Sequence, residues 1–295
     1  MIDPRIDRTT GVIVQGITGR AGRMHTRLMR EYGTHIVAGV SPKAGGDVDG
    51  IPVFANCKEA VAATKAAASV LLVGAEQLLS AIEDAVHAGI RLIVTPTEGM
   101  PVHDALRARR LTQEAGATWI GASTPGMAVA GEAKLGFLPE AALIPGPLGI
   151  MSKSGTLSYE SGFRLAQRGV GTSIWIGVGG DTVKGTRFAE LVPFYAADVK
   201  SEALLIIGEI GGSEEEEFAA ALTAHRFAKP VFALIAGRSS PEGVTMGHAG
   251  ALVHGSRGGY AAKKAALEQA RATVFGSLDD MTNGIVAWHA ARATR

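Results

Sequence analysis

The sequence predicts two consecutive α/β units, each a largely parallel sheet with helices on both faces. Three observations carry that expectation. Short apolar runs alternate with segments of helical period along nearly all of the 295 residues. Glycine-rich turns follow several of those runs. The alternation lapses once, between residues 126 and 147, where Pro139, Pro145 and Pro147 interrupt it. The domain boundary is expected in that lapse, with a first domain over residues 1–130 and a second over residues 131–295.

In the first half, Gly11-Val12-Ile13-Val14-Gln15-Gly16 reads as a buried strand, and Ile17-Thr18-Gly19-Arg20-Ala21-Gly22 turns it into a helix running to about Tyr32. The spacing G-x-x-G-x-x-G is a relative of the dinucleotide fingerprint, in which glycines let helix N-terminal amides face a pyrophosphate. Close packing of a helix on a strand is the competing reading. The next strand, residues 35–40, ends in Ser41-Pro42-Lys43 instead of the acid that would bind an NAD ribose. Lys43 suits a ribose phosphate, as in NADP or the 3′-phospho-ADP part of coenzyme A, and equally reads as an exposed loop lysine. Strands over 51–54, 68–73, 91–94 and 118–121 alternate with helices over 58–65, 76–88 and 102–115. Thr95-Pro96-Thr97-Glu98-Gly99 lies just past a strand's C-terminal end, where open α/β sheets hold ligands. Glu98 also reads as a cap for the helix that follows.

The second half restarts the pattern. A strand over 148–151 leads through Ser152-Lys153-Ser154-Gly155-Thr156 into a helix over 157–168, whose first amides and the Ser154 and Thr156 hydroxyls suit an anion. A strand over 173–178 ends in Gly179-Gly180-Asp181, and one over 203–207 ends in Gly208-Glu209-Ile210-Gly211-Gly212. Ser213 with Glu216 fits a capping box, and the acidic run 214–217 sits where negative charge suits the helix dipole, so that run reads as structural. A strand over 230–236 precedes Met246-Gly247-His248-Ala249-Gly250-Ala251, and helices over 261–272 and 279–291 close the chain around a strand at 273–274.

Composition narrows the partners. A net charge of +1 with both signs interspersed and only 5% aromatic residues leave no stripe for nucleic acid. The chain starts without an apolar h-region and has no apolar run near the ~20 residues of a membrane helix, so a cytoplasmic protein off the membrane is expected. The single cysteine, Cys57, makes no internal disulfide and reads as a small residue near a helix start.

His248 is the residue the second half is built around. A lone loop histidine is ordinarily solvated. Here Glu209 stands one residue beyond a strand, and a carboxylate at that edge needs a partner. A neutral imidazole whose other N–H is accepted by a carboxylate is a nucleophile, and helix N-termini stabilise a phosphoryl group placed on it. There is neither a G-x-S-x-G elbow nor a Walker-type loop in the sequence, so a phosphoryl donor would bind on another subunit.

The segments Gln15-Gly16-Ile17-Thr18-Gly19, Thr97-Glu98-Gly99-Met100-Pro101, Ser152-Lys153-Ser154-Gly155-Thr156-Leu157, Gly179-Gly180-Asp181, Gly208-Glu209-Ile210-Gly211-Gly212 and Gly247-His248-Ala249-Gly250-Ala251 together resemble, in order and almost end to end, the α subunits of succinyl-CoA synthetase, among the nucleoside-diphosphate-forming acyl-CoA ligases. The resemblance implies an N-terminal Rossmann-like CoA-binding domain, a flavodoxin-like doubly wound domain with a phosphohistidine loop, and an ATP-grasp β subunit that binds ATP or GTP with Mg²⁺, in an αβ or (αβ)₂ assembly. It implies His248 as phosphoryl carrier and Glu209 as its orienting carboxylate. Ser154, Gly155 and Thr156 would cradle phosphate, and Tyr159 would meet the substrate carboxylate. Thr18, Gly19, Arg20, Ala21, Lys43, Pro96, Thr97 and Glu98 would line the CoA site, and no metal is expected on this chain.

Three departures from the family pattern bear on the substrate. Ser123-Thr124-Pro125-Gly126 replaces Asn-Cys-Pro-Gly, Ser41-Pro42-Lys43-Ala44-Gly45-Gly46 shifts the phosphate-binding lysine by one position, and Gly74-Ala75-Glu76-Gln77 replaces a proline-rich turn. Malate, citrate or another dicarboxylate therefore stands beside succinate, and a regulatory CoA-binding paralogue without turnover stands beside an enzyme. A nicotinamide oxidoreductase would rest on the first glycine-rich turn alone.

Overall fold

In the computed structural model, residues 2–42, 45–240 and 258–293 are described. They form two compact units, Met1–Leu138 with Val183–Thr186, and Pro139–Thr182 with Arg187–Arg295.

In the first unit the chain runs β1 (Val12–Gln15), α1 (Arg20–Tyr32), β2 (Ile36–Val40), β3 (Asp47–Val48), β4 (Ile51–Phe54), α2 (Cys57–Thr64), β5 (Ala68–Leu71), α3 (Leu78–His87), β6 (Leu92–Thr95), α4 (Val102–Glu114), β7 (Thr118–Gly121), β8 (Gly126–Val129) and β9 (Ala133–Gly136). The sheet order is β3-β4-β2-β1-β5-β6-β7, parallel throughout except where β3 meets β4. Apart from the short β3, this is the Rossmann order, with the direction of winding reversing between β1 and β5. β1, β5, β6 and β7 are buried along their whole length, which is why they read as continuous apolar runs and not as alternating ones.

Ile13, Leu71, Ile93 and Trp119 of the strands and Leu78 and Ile82 of α3 belong to one buried core. α1 buries only Gly22, Thr26 and Met29, and leaves Met24 and Leu28 exposed along with its arginines. α2 is capped by Asn56, whose side chain accepts from the Glu59 N–H. Cys57 opens that helix, fully buried, its N–H on the Asp84 carboxylate at 2.8 Å. Burial, reinforced by Asp84, pushes its thiol far up, so it stays a small apolar residue.

Two elements of the lapse in pattern are strands after all. β8 and β9 pair antiparallel, Gly126 opposite Gly136, and the expected boundary after residue 130 falls between them, whereas the compact unit continues to Leu138.

The second unit contains β10 (Pro145–Ser152), α5 (Gly155–Gln167), β11 (Thr172–Gly177), α6 (Phe188–Ala197), β12 (Ala203–Glu209), α7 (Glu214–Ala224), β13 (Val231–Ala236), α8 (Tyr260–Gln269), β14 (Thr273–Phe275) and α9 (Leu278–Ala293). Its own strands lie β14-β13-β12-β10-β11, all parallel, the 2-1-3-4-5 winding of flavodoxin-like sheets. Periodicity gives no sign of α6, because Pro193 sits inside it. Its apolar face nonetheless buries Phe188, Leu191, Val192 and Tyr195, and the Tyr195 hydroxyl donates to the Ile150 carbonyl at 3.0 Å. No described helix is long and apolar enough to cross a membrane.

Candidate functional site

In the first unit, a cleft of 770 Å³ opens at the C-terminal ends of β1, β2 and β5, on the reversal of winding. Thr18 and Gly19 line it, with Gln15, Gly16, Ser41, Gly74, Gln77, Ser80 and Asp84. The turn beneath it depends on two missing side chains. Gly16 takes φ +79°, and a Cβ on Gly22 would stand 2.1 Å from the Gly16 carbonyl oxygen, so only glycine lets α1 begin this close to the strand. Thr18 Oγ1 lies 2.9 Å from Ser41 Oγ, so a hydroxyl pair stands at the end of β2, where an NAD site would place an acid.

Other residues expected around this site are placed variously. Arg20 and Ala21 open α1 and are exposed, outside the lining of the cleft. Pro96, Thr97 and Glu98 follow β6, also outside it, although Thr97 Oγ1 donates to the carbonyl of Val73, a lining residue, at 2.7 Å. Glu98 is exposed and does not cap α4, whose N-cap is Pro101 without a side-chain bond. Lys43 lies outside the described residues. Sequence reasoning missed Ser80 and Asp84, four apart on one face of α3, because a polar pair on an amphipathic helix looks like an ordinary solvated face.

The second unit gathers three glycine-rich turns at one sheet edge. Ser152 pairs with Ile207 on one side and with Gly177 on the other, so the ends of β12, β10 and β11 lie side by side. Ser154 is the N-cap of α5, its hydroxyl accepting from the Leu157 N–H at 3.2 Å. Gly155 and Thr156 are the first two helical residues, whose amides an α-helix leaves without acceptors of its own. Tyr159 lies one turn further, half-buried, and that burial pushes its phenol up to about 12.

Glu209 ends β12 and is 7% exposed. Below it is a cluster of buried charges. Glu215, fully buried, accepts from the Glu209 N–H at 3.1 Å and from Lys153 Nζ at 3.0 Å through one oxygen, while its other oxygen pairs with Lys263 Nζ. Lys263, also fully buried, donates further to the Gly212 carbonyl at 3.1 Å and to Glu216 at 3.0 Å. Glu214 lies 3.6 Å from Lys153 and accepts from the Phe188 N–H. Desolvation alone would lower Lys153, but Glu215, Glu214 and Glu209 outweigh it and hold the ammonium above its usual range.

The acidic run is thus structural, as expected, but for a different reason. Its first two members are buried ion partners and not only a complement to the dipole of α7. The capping box is not formed: Ser213 makes no cap bond and donates instead to Glu217 at 2.7 Å. With four glutamates in its own first turn, α7 has its positive end already compensated, whereas α5 has no acidic residue in its first turn.

His248 lies outside the described residues, which break after 240 and resume at 258. Both flanks of that break meet the Glu209 loop. Ala236, the last residue of β13, is in register with Glu209 and accepts from the Ile210 N–H at 3.1 Å, and the Gly258 carbonyl accepts from the Gly211 N–H at 2.8 Å.

Two family models match the chain, a CoA binding domain over residues 7–99 and a CoA-ligase domain over residues 151–273. The combination defines a CoA ligase built of a Rossmann-like unit followed by a flavodoxin-like one. A subunit alpha of succinate–CoA ligase (ADP-forming) from Aquifex aeolicus is 45% identical over 92% of this chain and 89% of its own length. A subunit of an ADP-forming sulfoacetate–CoA ligase from Bilophila wadsworthia is 42% identical over 90% of this chain and 92% of its own length. Among solved structures, the ATP citrate lyase of Methanosaeta concilii superposes with a TM-score of 0.88 at 23% identity, covering 98% of this chain and 51% of that one, a likeness of fold. The chain belongs to the family of succinate–CoA ligase α subunits, as its ordered motifs led one to expect.

Proposed function

We propose that this chain forms an acyl-CoA from a small carboxylate, CoA and a nucleoside triphosphate, with His248 as the phosphoryl carrier. The observation that carries the reading is the anchoring of both flanks of the His248 segment on the loop that bears Glu209, at the same sheet edge as the Ser154 turn. Glu209 then accepts one imidazole N–H, which leaves the other nitrogen as the nucleophile and stabilises the cation formed as it bonds to phosphorus and the nucleoside diphosphate departs. The first amides of α5, at Gly155 and Thr156, offset the negative charge of the phosphoryl group, and the Ser154 hydroxyl holds the turn in place as the helix cap.

The substrate carboxylate, oriented at Tyr159, attacks phosphorus and frees His248, giving an acyl phosphate. The CoA thiol then attacks the acyl carbon and inorganic phosphate leaves. The first-unit cleft fits the CoA nucleotide: it is at the reversal of winding, lined by Thr18 and Gly19 and without a ribose-binding acid at the end of β2. Arg20, Ala21, Lys43, Pro96, Thr97 and Glu98 would complete its surround. ATP or GTP, with Mg²⁺, is assigned to an ATP-grasp β subunit, in an αβ or (αβ)₂ assembly in the cytoplasm. Succinate is the reference substrate, with malate or citrate as alternatives raised by the Ser123-Thr124 departure, where Thr124 Oγ1 is occupied by the Gly126 N–H at 2.9 Å.

The test incubates the chain and its β partner with γ-labelled ATP. Acid-labile, base-stable label on the wild type that vanishes in His248→Ala is the expected result. Undiminished label in His248→Ala overturns the assignment.

A further inference from the structure

The buried charges under β12 do something that the proposed chemistry does not by itself require. The five-residue loop from Gly208 to Gly212 is fastened at both ends to one ion cluster: the Glu209 N–H to the Glu215 carboxylate, and the Gly212 carbonyl to the Lys263 ammonium that the same carboxylate holds. Gly208 makes room for this, since a Cβ there would lie 2.6 Å from Glu215 Oε1. Lys153 braces the carboxylate from the neighbouring strand end, its own N–H bonded to the Ile207 carbonyl at 3.0 Å. Taking such charges out of water is expensive, and well-packed apolar residues usually stabilise a core at least as well. Directionality is what an apolar packing of the same volume lacks, because hydrogen bonds to ionised groups fix position as well as proximity.

We propose that Glu215, clamped between Lys153 and Lys263, is a positioning residue that sets the place of the Glu209 carboxylate for phosphoryl transfer. The inference rests on Glu209 orienting the phosphoryl-carrying imidazole. Glu215 touches no reacting atom in this scheme. It acts through the backbone of Glu209, and Lys153 and Lys263 act through Glu215.

The experiment measures the single-turnover rate of labelling by γ-labelled ATP in the complex with the β partner, together with KM for CoA in the full reaction. Glu215→Gln keeps the shape and removes the charge that holds both lysines. Labelling is expected to slow about tenfold or more, the scale on which small misplacements act, while KM for CoA changes less than about twofold because the cleft lies in the other unit. A Glu209→Gln, Glu215→Gln double variant is expected to label no more slowly than Glu209→Gln alone, because the effect of Glu215 passes through Glu209. Wild-type labelling in Glu215→Gln, or a loss that adds in full to that of Glu209→Gln as general destabilisation would, overturns the proposal. Should Glu215→Gln fail to fold, Lys153→Gln, which leaves the Glu215–Lys263 pair in place, gives the same comparison, and Lys153→Arg is expected to restore the rate. Failure of the wild type to label overturns the underlying reading and this proposal together, whereas a labelled wild type with an indifferent Glu215→Gln overturns this proposal alone.

Discussion

The turn after β1 and the loop after β12 each follow a strand that borders the reversal of winding in its sheet, and they are built on opposite principles. The first is shaped by what is missing: Gly16 and Gly22 let strand and helix approach until a single methyl would collide, and the uncharged Thr18–Ser41 pair ties it to the end of β2. The second is shaped by buried charge, with Glu209 and Gly212 both fastened to the Glu215–Lys263 pair. The difference follows from the work each is proposed to do. A pyrophosphate is received by backbone amides, which must be approachable. A carboxylate that orients another group must be aimed, and in a low-dielectric interior charged hydrogen bonds aim it strongly.

Removing the charged clamp outright is the largest way to break the comparison. Glu215→Ala leaves Lys153 and Lys263 buried without their shared partner, and a loss of about 3–5 kcal/mol is expected in urea denaturation. Gly22→Ala attacks the steric design instead. It is expected to cost about 1–3 kcal/mol as an overpacked contact and to weaken CoA binding by calorimetry, leaving labelling of His248 unchanged. An unaffected CoA affinity would detach that turn from the ligand.

A smaller contrast separates two serines that look alike in sequence. Ser154→Ala removes a real cap and should cost about 1 kcal/mol, whereas Ser213→Ala removes a hydroxyl that caps nothing and should leave the denaturation midpoint nearly unmoved.

Alkaline pH sharpens the electrostatic side, with no effect near neutrality. Lys153 titrates above its ordinary 10.5 in the folded chain, because its carboxylate neighbours outweigh desolvation. Its stabilisation is therefore complete below 10.5 and fades as pH climbs through the higher folded value. Tyr159 is pushed by burial from 10.0 to about 12, so between those values the folded chain keeps a proton that the unfolded chain has released, and stability falls as pH rises. Urea midpoints measured upward from pH 10 should decline, less steeply for Tyr159→Phe.

How much of this was legible depended on the range over which the signal acts. Buried parallel strands and their glycine turns declare themselves within a few residues, so the alternation could be anticipated from the residues, and the two windings followed from the family resemblance. The β8–β9 hairpin and α6 could not. The hairpin's glycines and buried Lys134 resemble a loop, and Pro193 breaks the pattern of a helix that tertiary packing nonetheless holds. Ser213 and Glu216 had the spacing of a capping box, yet Glu216 is taken by Lys263 and Ser213 by Glu217, both interactions that spacing does not reveal. In the site, Ser154, Gly155 and Glu209 were recognisable from their places after strands, while Ser80, Asp84 and Lys263 carried no local mark.

By itself, then, the sequence determined the two α/β units, the family and the sheet edges at which ligands are expected, since each depends on patterns repeated over one strand or one turn or on several such motifs in order. Only the tertiary structure decided that Lys153, Glu215 and Lys263 meet under Glu209. Glu215 and Lys263 are 48 residues apart, and a buried ion pair is specified by which elements the fold brings into contact, a relation that no local pattern encodes.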